Sequence, residues 1–118
     1  MAYNKNEICR QMSNLTFEKT SISDVIQGFV NPADDERGYF ERVFCVKSIS
    51  EQMGRPISIA QINRSLSKRA GTVRGLHFQW PPFSEVKIVS CPSGSLIDVA
   101  VDLRAKSPTY LKHVTVEL

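Results

Sequence analysis

Short β-prone runs, each cut off by turn residues, constrain this chain more than any other feature. Residues 21–30 are rich in β-branched side chains, and Asn31-Pro32-Ala33-Asp34-Asp35 supplies turn chemistry. Residues 38–46 mix aromatic and β-branched positions, as a strand does. Residues 57–65 alternate, and Ser67-Lys68-Arg69-Ala70-Gly71 reads as a loop. Residues 72–79 form a further strand pattern, ended by Trp80-Pro81-Pro82, because proline cannot donate to a ladder. Residues 85–91 and the near-continuous apolar run 95–103 flank a turn at Pro92-Ser93-Gly94. After a loop over 104–108, residues 110–118 alternate again. The one helix expected is short, over residues 47–54, entered after polar residues and closed by Gly54. Strands about 10 residues apart with turns between them predict an all-β sandwich or barrel.

At 118 residues the chain has room for one domain with one core. Residues 1–15 are polar and weakly patterned and read as a flexible arm, with a short helical turn over 8–12. Residues 16–118 read as the domain. The chain stops at Leu118 inside a strand-like segment, so the sheet is expected to be incomplete at its C-terminal end.

Composition removes several classes. With 42% hydrophobic and 23% charged residues the chain is globular. Its net charge of +3 is spread rather than gathered, so no nucleic-acid partner is expected, while an anionic small molecule is compatible. Cys9, Cys45 and Cys91 are odd in number and lack a Cys-x-x-Cys spacing, which argues against a disulfide framework or a zinc site. Free thiols suit a reducing cytoplasm. No apolar run is long enough to span a membrane, and residues 1–10 are too polar for a signal peptide.

The chemistry concentrates in Gly71-Thr72-Val73-Arg74-Gly75-Leu76-His77-Phe78-Gln79, with Lys87 ten residues after His77. Imidazole is the side chain suited to proton transfer near neutral pH, which makes His77 the candidate base. Strict alternation puts Arg74 and His77 on opposite faces. A bulge at Gly75 would bring them to one pocket. Lys87 lies opposite Val86 and Ile88 and can point into a barrel mouth. Asp98 and Asp102 share a face of an apolar strand and need partners, for which Lys87, Arg74 and His77 are available. Each residue alone also fits a plain structural role. Asp34-Asp35 fits a turn better than a carboxylate dyad, and His113 fits the surface. With two separated histidines there are too few ligands for a histidine-rich metal site.

Taken together, the motifs resemble the dTDP-4-dehydrorhamnose 3,5-epimerase family. They are Asp35-Glu36-Arg37-Gly38-Tyr39-Phe40, Gln61-Ile62-Asn63-Arg64-Ser65, the 71–79 segment, Glu85-Val86-Lys87-Ile88-Val89, Asp98-Val99-Ala100-Val101-Asp102-Leu103-Arg104 and Ser107-Pro108-Thr109-Tyr110. The resemblance implies a cupin-type β jelly roll, a homodimer formed by strand exchange, and a cofactor-free reaction. The implied substrate is a dTDP-4-keto-6-deoxyhexose, inverted at C3 and C5. His77 would be the base and Lys87 the ammonium that stabilises the enolate. Arg37, Gln61 and Arg74 would hold the diphosphate, where arginine's fork suits the anion. Tyr39 or Phe40 would stack near thymine, with Asn63 at the same end, and Asp98 would support His77 or Lys87. The family's RGxFxE pattern has Arg42 in place of its glutamate here, and Glu41 comes one residue early. The family also continues beyond residue 118, where it carries its catalytic acid and the carboxylate that orients the base. A catalytically defective cupin that binds a nucleotide sugar, and a related ketoisomerase or C3-only epimerase, are the competing readings.

Overall fold

The computed structural model describes residues 14–118. The expected N-terminal arm lies almost wholly outside the described residues. Among the described residues the secondary structure is β apart from one helix: β1 (Asn14–Lys19), β2 (Ile26–Asn31), β3 (Ala33–Asp35), β4 (Gly38–Phe40), α1 (Val46–Met53), β5 (Ile97–Val101) and β6 (His113–Glu117). The strands pair in three two-stranded antiparallel sheets, β1–β2, β3–β4 and β5–β6. The chain divides into two compact units, one ending at Ala60 and one running from Gln61 to Leu118.

In the first unit, β1 and β2 run in strict register from Asn14 opposite Asn31 to Lys19 opposite Ile26. Thr20 closes the connection, because its hydroxyl donates to the carbonyls of Ile22 and Val25 at 3.1 and 2.9 Å. The Thr20 backbone N–H also reaches the Val25 carbonyl. Folding the turn back this way buries Ile22, which is 3% exposed. The next hairpin is tighter. Asp35 stands opposite Gly38, so Glu36 and Arg37 are its two turn residues. Gly38 takes φ 124°, a value that a residue with a Cβ rarely adopts.

Helix α1 sits one residue earlier than the sequence reading, and its end is where that reading put it. Gly54 adopts the left-handed conformation at φ 65°. Its N–H donates to Glu51 and the Arg55 N–H to Ser50, which satisfies the last carbonyls in a Schellman pattern. The strand expected over 38–46 stops at Phe40, because helix formation from Val46 takes over its C-terminal end.

In the second unit, β5 and β6 pair from Ile97 opposite Glu117 to Val101 opposite His113. Asp98, Ala100, Val114 and Val116 turn to the half-buried side, and Ile97, Val99, Thr115 and Glu117 to the exposed side. The reading of 95–103 and 110–118 as strands therefore holds at their centres. The strands expected over 57–65, 72–79 and 85–91 are not formed among the described residues. These segments have the composition of strands, but strands exist only as pairs, and no ladder partner meets them. Their apolar residues stand open, with Val73 at 90% and Ile62 at 86% exposure.

Candidate functional site

The residues singled out by the sequence fall into small local groups. Arg37 sits at the tip of the β3–β4 hairpin and is clasped by Asp35. The Asp35 carboxylate accepts the Arg37 backbone N–H at 2.9 Å, Nε–H at 3.2 Å and Nη2–H at 2.6 Å. The Arg37 side chain, followed by its backbone N–H, holds the Asp35 carboxyl below the usual carboxylate range. The same contact raises the Arg37 guanidinium. Tyr39 and Phe40 follow on β4, opposite Asp34 and Ala33, and both rings are exposed. Asp34 is thus a strand residue, and the turn expected at 31–35 lies at Glu36 and Arg37.

In the second unit, Gln61 and Asn63 face each other, and the Asn63 amide donates to Gln61 Oε1 at 3.4 Å. Arg74 is held by the loop that precedes it. Its Nη2 donates to the Leu66 carbonyl at 3.1 Å and its Nε to Ser67 Oγ at 3.2 Å. The other edge of the guanidinium is left outward. Thr72 pins the same loop by donating to the Arg69 carbonyl at 2.7 Å. Lys87 forms an ion pair with Glu85. His77 is exposed, and among the described residues no carboxylate hydrogen-bonds its ring. The expectation that His77 and Lys87 stand on neighbouring strands is corrected, since neither segment is a strand.

Gly75 takes φ 95°, a value that suits a residue without a Cβ. Residues 72–79 form no strand, so the bulge expected to bring Arg74 and His77 to one pocket is not formed. A Cβ built there would lie 3.0 Å from His77 Nδ1. Gly75→Ala is therefore expected to cost about 1 kcal/mol or more in backbone strain and to displace the imidazole. Chemical denaturation would measure the first effect, and the imidazole NMR shifts of His77 the second.

Asp98 is half-buried on β5 opposite Val116, and among the described residues no side chain pairs with it. Asp102, on the same face, is the buried carboxylate of the second unit at 3% exposure. Its partners are not Lys87, Arg74 or His77. Oδ1 accepts the Arg104 backbone N–H at 3.0 Å and Nε–H at 2.8 Å. Oδ2 accepts Arg104 Nη2–H at 2.9 Å, Ser107 Oγ–H at 2.5 Å and Thr109 Oγ1–H at 2.6 Å. The Arg104 side chain first, then the two hydroxyls, drive the Asp102 carboxyl far below the ordinary carboxylate range. From the sequence, 104–108 reads as plain loop. The available signal was an aspartate at a strand end followed by arginine, serine and threonine, which suits an Asx-type knot. A hollow of about 460 Å³ lies between residues 19–26 and Gln52–Met53 of the first unit, and none of the site residues lines it.

The antiparallel strand pairs put the chain in the all-β class, consistent with the cupin-like fold of the family it matches. The chain belongs to the dTDP-4-dehydrorhamnose 3,5-epimerase family, whose model matches residues 19–118. It is similar to dTDP-4-dehydrorhamnose 3,5-epimerase of Sinorhizobium fredii (strain NBRC 101917 / NGR234), 44% identical over 108 residues, covering 92% of this chain and 55% of that protein. The enzyme of the same name from Shigella flexneri is 43% identical over 100 residues, 85% of this chain and 55% of its own length. A dTDP-4-dehydrorhamnose 3-epimerase from Streptomyces niveus is 47% identical over 76 residues, 64% of this chain and 36% of that one. The chain thus spans about half the length of the curated relatives it matches. No solved structure gives a significant match. Among the described residues no helix is long and apolar enough to cross a membrane.

Proposed function

We propose that this chain acts in a sugar-nucleotide epimerase that inverts C3 and C5 of a dTDP-4-keto-6-deoxyhexose. The observation that carries the reading is the family match from residue 19 to 118, a range that includes the His77 and Lys87 segments. The chemistry suits the residue types. The C4 ketone acidifies the hydrogens on C3 and C5. The imidazole of His77 takes one of these protons, and the C–H electron pair moves into the ring carbon–C4 bond. The carbonyl oxygen gains the negative charge, and the Lys87 ammonium stabilises it. Return of a proton to the opposite face inverts the centre. No electrons leave the substrate, so the reaction requires no redox cofactor.

Arg37, Gln61 and Arg74 are assigned to the diphosphate. Both arginines leave one guanidinium edge outward, the arrangement that a bidentate anion contact uses. Tyr39 or Phe40 is assigned to the thymine, and Asn63 to the same end of the ligand. The support expected of Asp98 for His77 or Lys87 is not made among the described residues, where no side chain pairs with Asp98. The exposed Leu66, Val73 and Ile62 favour a homodimer, because apolar surface of this extent is normally covered. A cytoplasmic setting accords with Cys45 and Cys91 standing outside any disulfide among the described residues.

The test is solvent deuterium. In D2O, the chain is expected to introduce deuterium at C3 and C5 of a dTDP-4-keto-6-deoxyhexose, read by mass spectrometry and proton NMR. Binding of dTDP with no exchange at either carbon would reduce the chain to a nucleotide-sugar binding module. Exchange at C3 alone would make it a C3-only epimerase.

A further inference from the structure

The Asp35–Arg37 contact is stronger in geometry than its exposed position requires. A surface ion pair is ordinarily a loose, screened contact of little consequence. Here one carboxylate takes three N–H groups from a single residue: the backbone N–H, Nε–H and one Nη2–H. The hairpin sets this up. Asp35 is the last residue of β3, paired with Gly38, so the residue two positions on must fold back over its carboxylate. The backbone bond is an Asx turn, and the guanidinium bonds add a second ring to it. Yet the Arg37 side chain stays 85% exposed. Among the described residues nothing else meets Arg37, so Nη1 and the second Nη2 hydrogen face solvent.

We propose that Asp35 is a positioning residue for Arg37, gripping the Nε/Nη2 edge so that the Nη1/Nη2 edge is presented to an anionic diphosphate. This rests on the assignment of Arg37 to the diphosphate. Two effects oppose each other. The Asp35 charge repels the anion, but at an exposed site salt screens that repulsion. Orientation is not screened, and it spares the ligand the cost of immobilising a long, freely rotating side chain. Orientation therefore wins at physiological ionic strength. The two effects also differ in chemistry, since asparagine keeps an acceptor oxygen for the Asx turn and for Nε–H while removing the charge.

The experiment is calorimetric titration of the full chain with dTDP and, separately, with thymidine, which lacks the phosphates. Asp35→Ala is expected to raise the dTDP dissociation constant about tenfold and to leave thymidine binding unchanged. Asp35→Asn should stay within about threefold of the parent chain. Arg37→Ala should weaken dTDP binding at least as much as Asp35→Ala, and Asp35→Ala should add nothing in that background. If Arg37→Ala weakens dTDP binding while Asp35→Ala leaves it equal or tighter, the inference falls and the assignment of Arg37 stands. If Arg37→Ala leaves dTDP binding intact, the assignment falls and takes the inference with it. Equal loss of dTDP and thymidine binding in Asp35→Ala, with a lowered melting temperature, would reveal a role confined to folding the hairpin and would also overturn the proposal.

Discussion

Replacing His77 with alanine is expected to lower deuterium exchange at C3 and C5 by about 10²–10⁴-fold, the usual contribution of a positioned general base. No other imidazole is placed to substitute. His113 lies on β6, paired with Val101 at the exposed end of the second unit's sheet. Binding should survive, because the assigned diphosphate contacts are Arg37, Gln61 and Arg74 rather than the base. The dissociation constant for dTDP is thus expected to be unchanged in His77→Ala while exchange disappears. Lys87→Met is expected to cost about 10²–10³-fold in exchange, the scale for losing one preorganised donor to a developing oxyanion. The two losses should be far from additive, since proton removal and enolate stabilisation belong to one step. Exchange in His77→Ala equal to that of the parent chain would remove the histidine from the chemistry, whatever the lysine did.

The sequence was most readable where a segment carries its own partner close by. Helix α1 is legible at its end, because Gly54 closes it locally through the Ser50 and Glu51 carbonyls, while its start lies one residue before the expected one. Strands β5 and β6 are legible, the first as a near-continuous apolar run and the second by its alternation, and they pair with each other across the connection 102–112. The segments 57–65, 72–79 and 85–91 have equally strong β composition but lie unpaired. Propensity describes how well a side chain fits a pleated surface, not whether a second strand arrives to make one. The candidate site shows the same division. Residue types and spacing identified His77, Lys87 and the arginines. What each side chain grips was not readable: Asp35 for Arg37, the 66–67 backbone and hydroxyl for Arg74, Glu85 for Lys87. Those partners lie two to eight residues away and depend on turn geometry that periodicity does not encode. Asp102 is the clearest case. Strand alternation puts it on one face with Asp98 and in need of partners, but those partners lie in the following loop rather than on other strands.

Asp102→Ala is expected to lower the melting temperature of the chain by about 10 °C or more, the largest stability effect of any single substitution considered. The carboxylate ties three side chains and one backbone N–H to the end of β5. Around that tie the backbone closes as well. The Asp102 N–H donates to the Lys112 carbonyl at 3.0 Å, and the Leu111 N–H returns to the Asp102 carbonyl at 2.8 Å. Removing the carboxylate leaves two hydroxyls and a guanidinium without their shared acceptor and frees the loop that sets the register of β6. Ser107→Ala or Thr109→Val removes one donor each and is expected to cost only a few degrees. The pH dependence follows from the direction of the shift. The carboxyl is depressed in the folded chain, so its contribution is complete above its unfolded value, near about pH 4. It drains away as the medium becomes more acidic, because the unfolded chain then binds the proton first. Asp102→Asn cannot titrate there. Its melting temperature should lie below that of the parent chain at pH 7, and the gap should narrow between about pH 5 and pH 2. Scanning calorimetry across that range decides the matter: two profiles that fall in parallel would mean that the charge on Asp102 contributes nothing, and that the loop is held by its backbone alone.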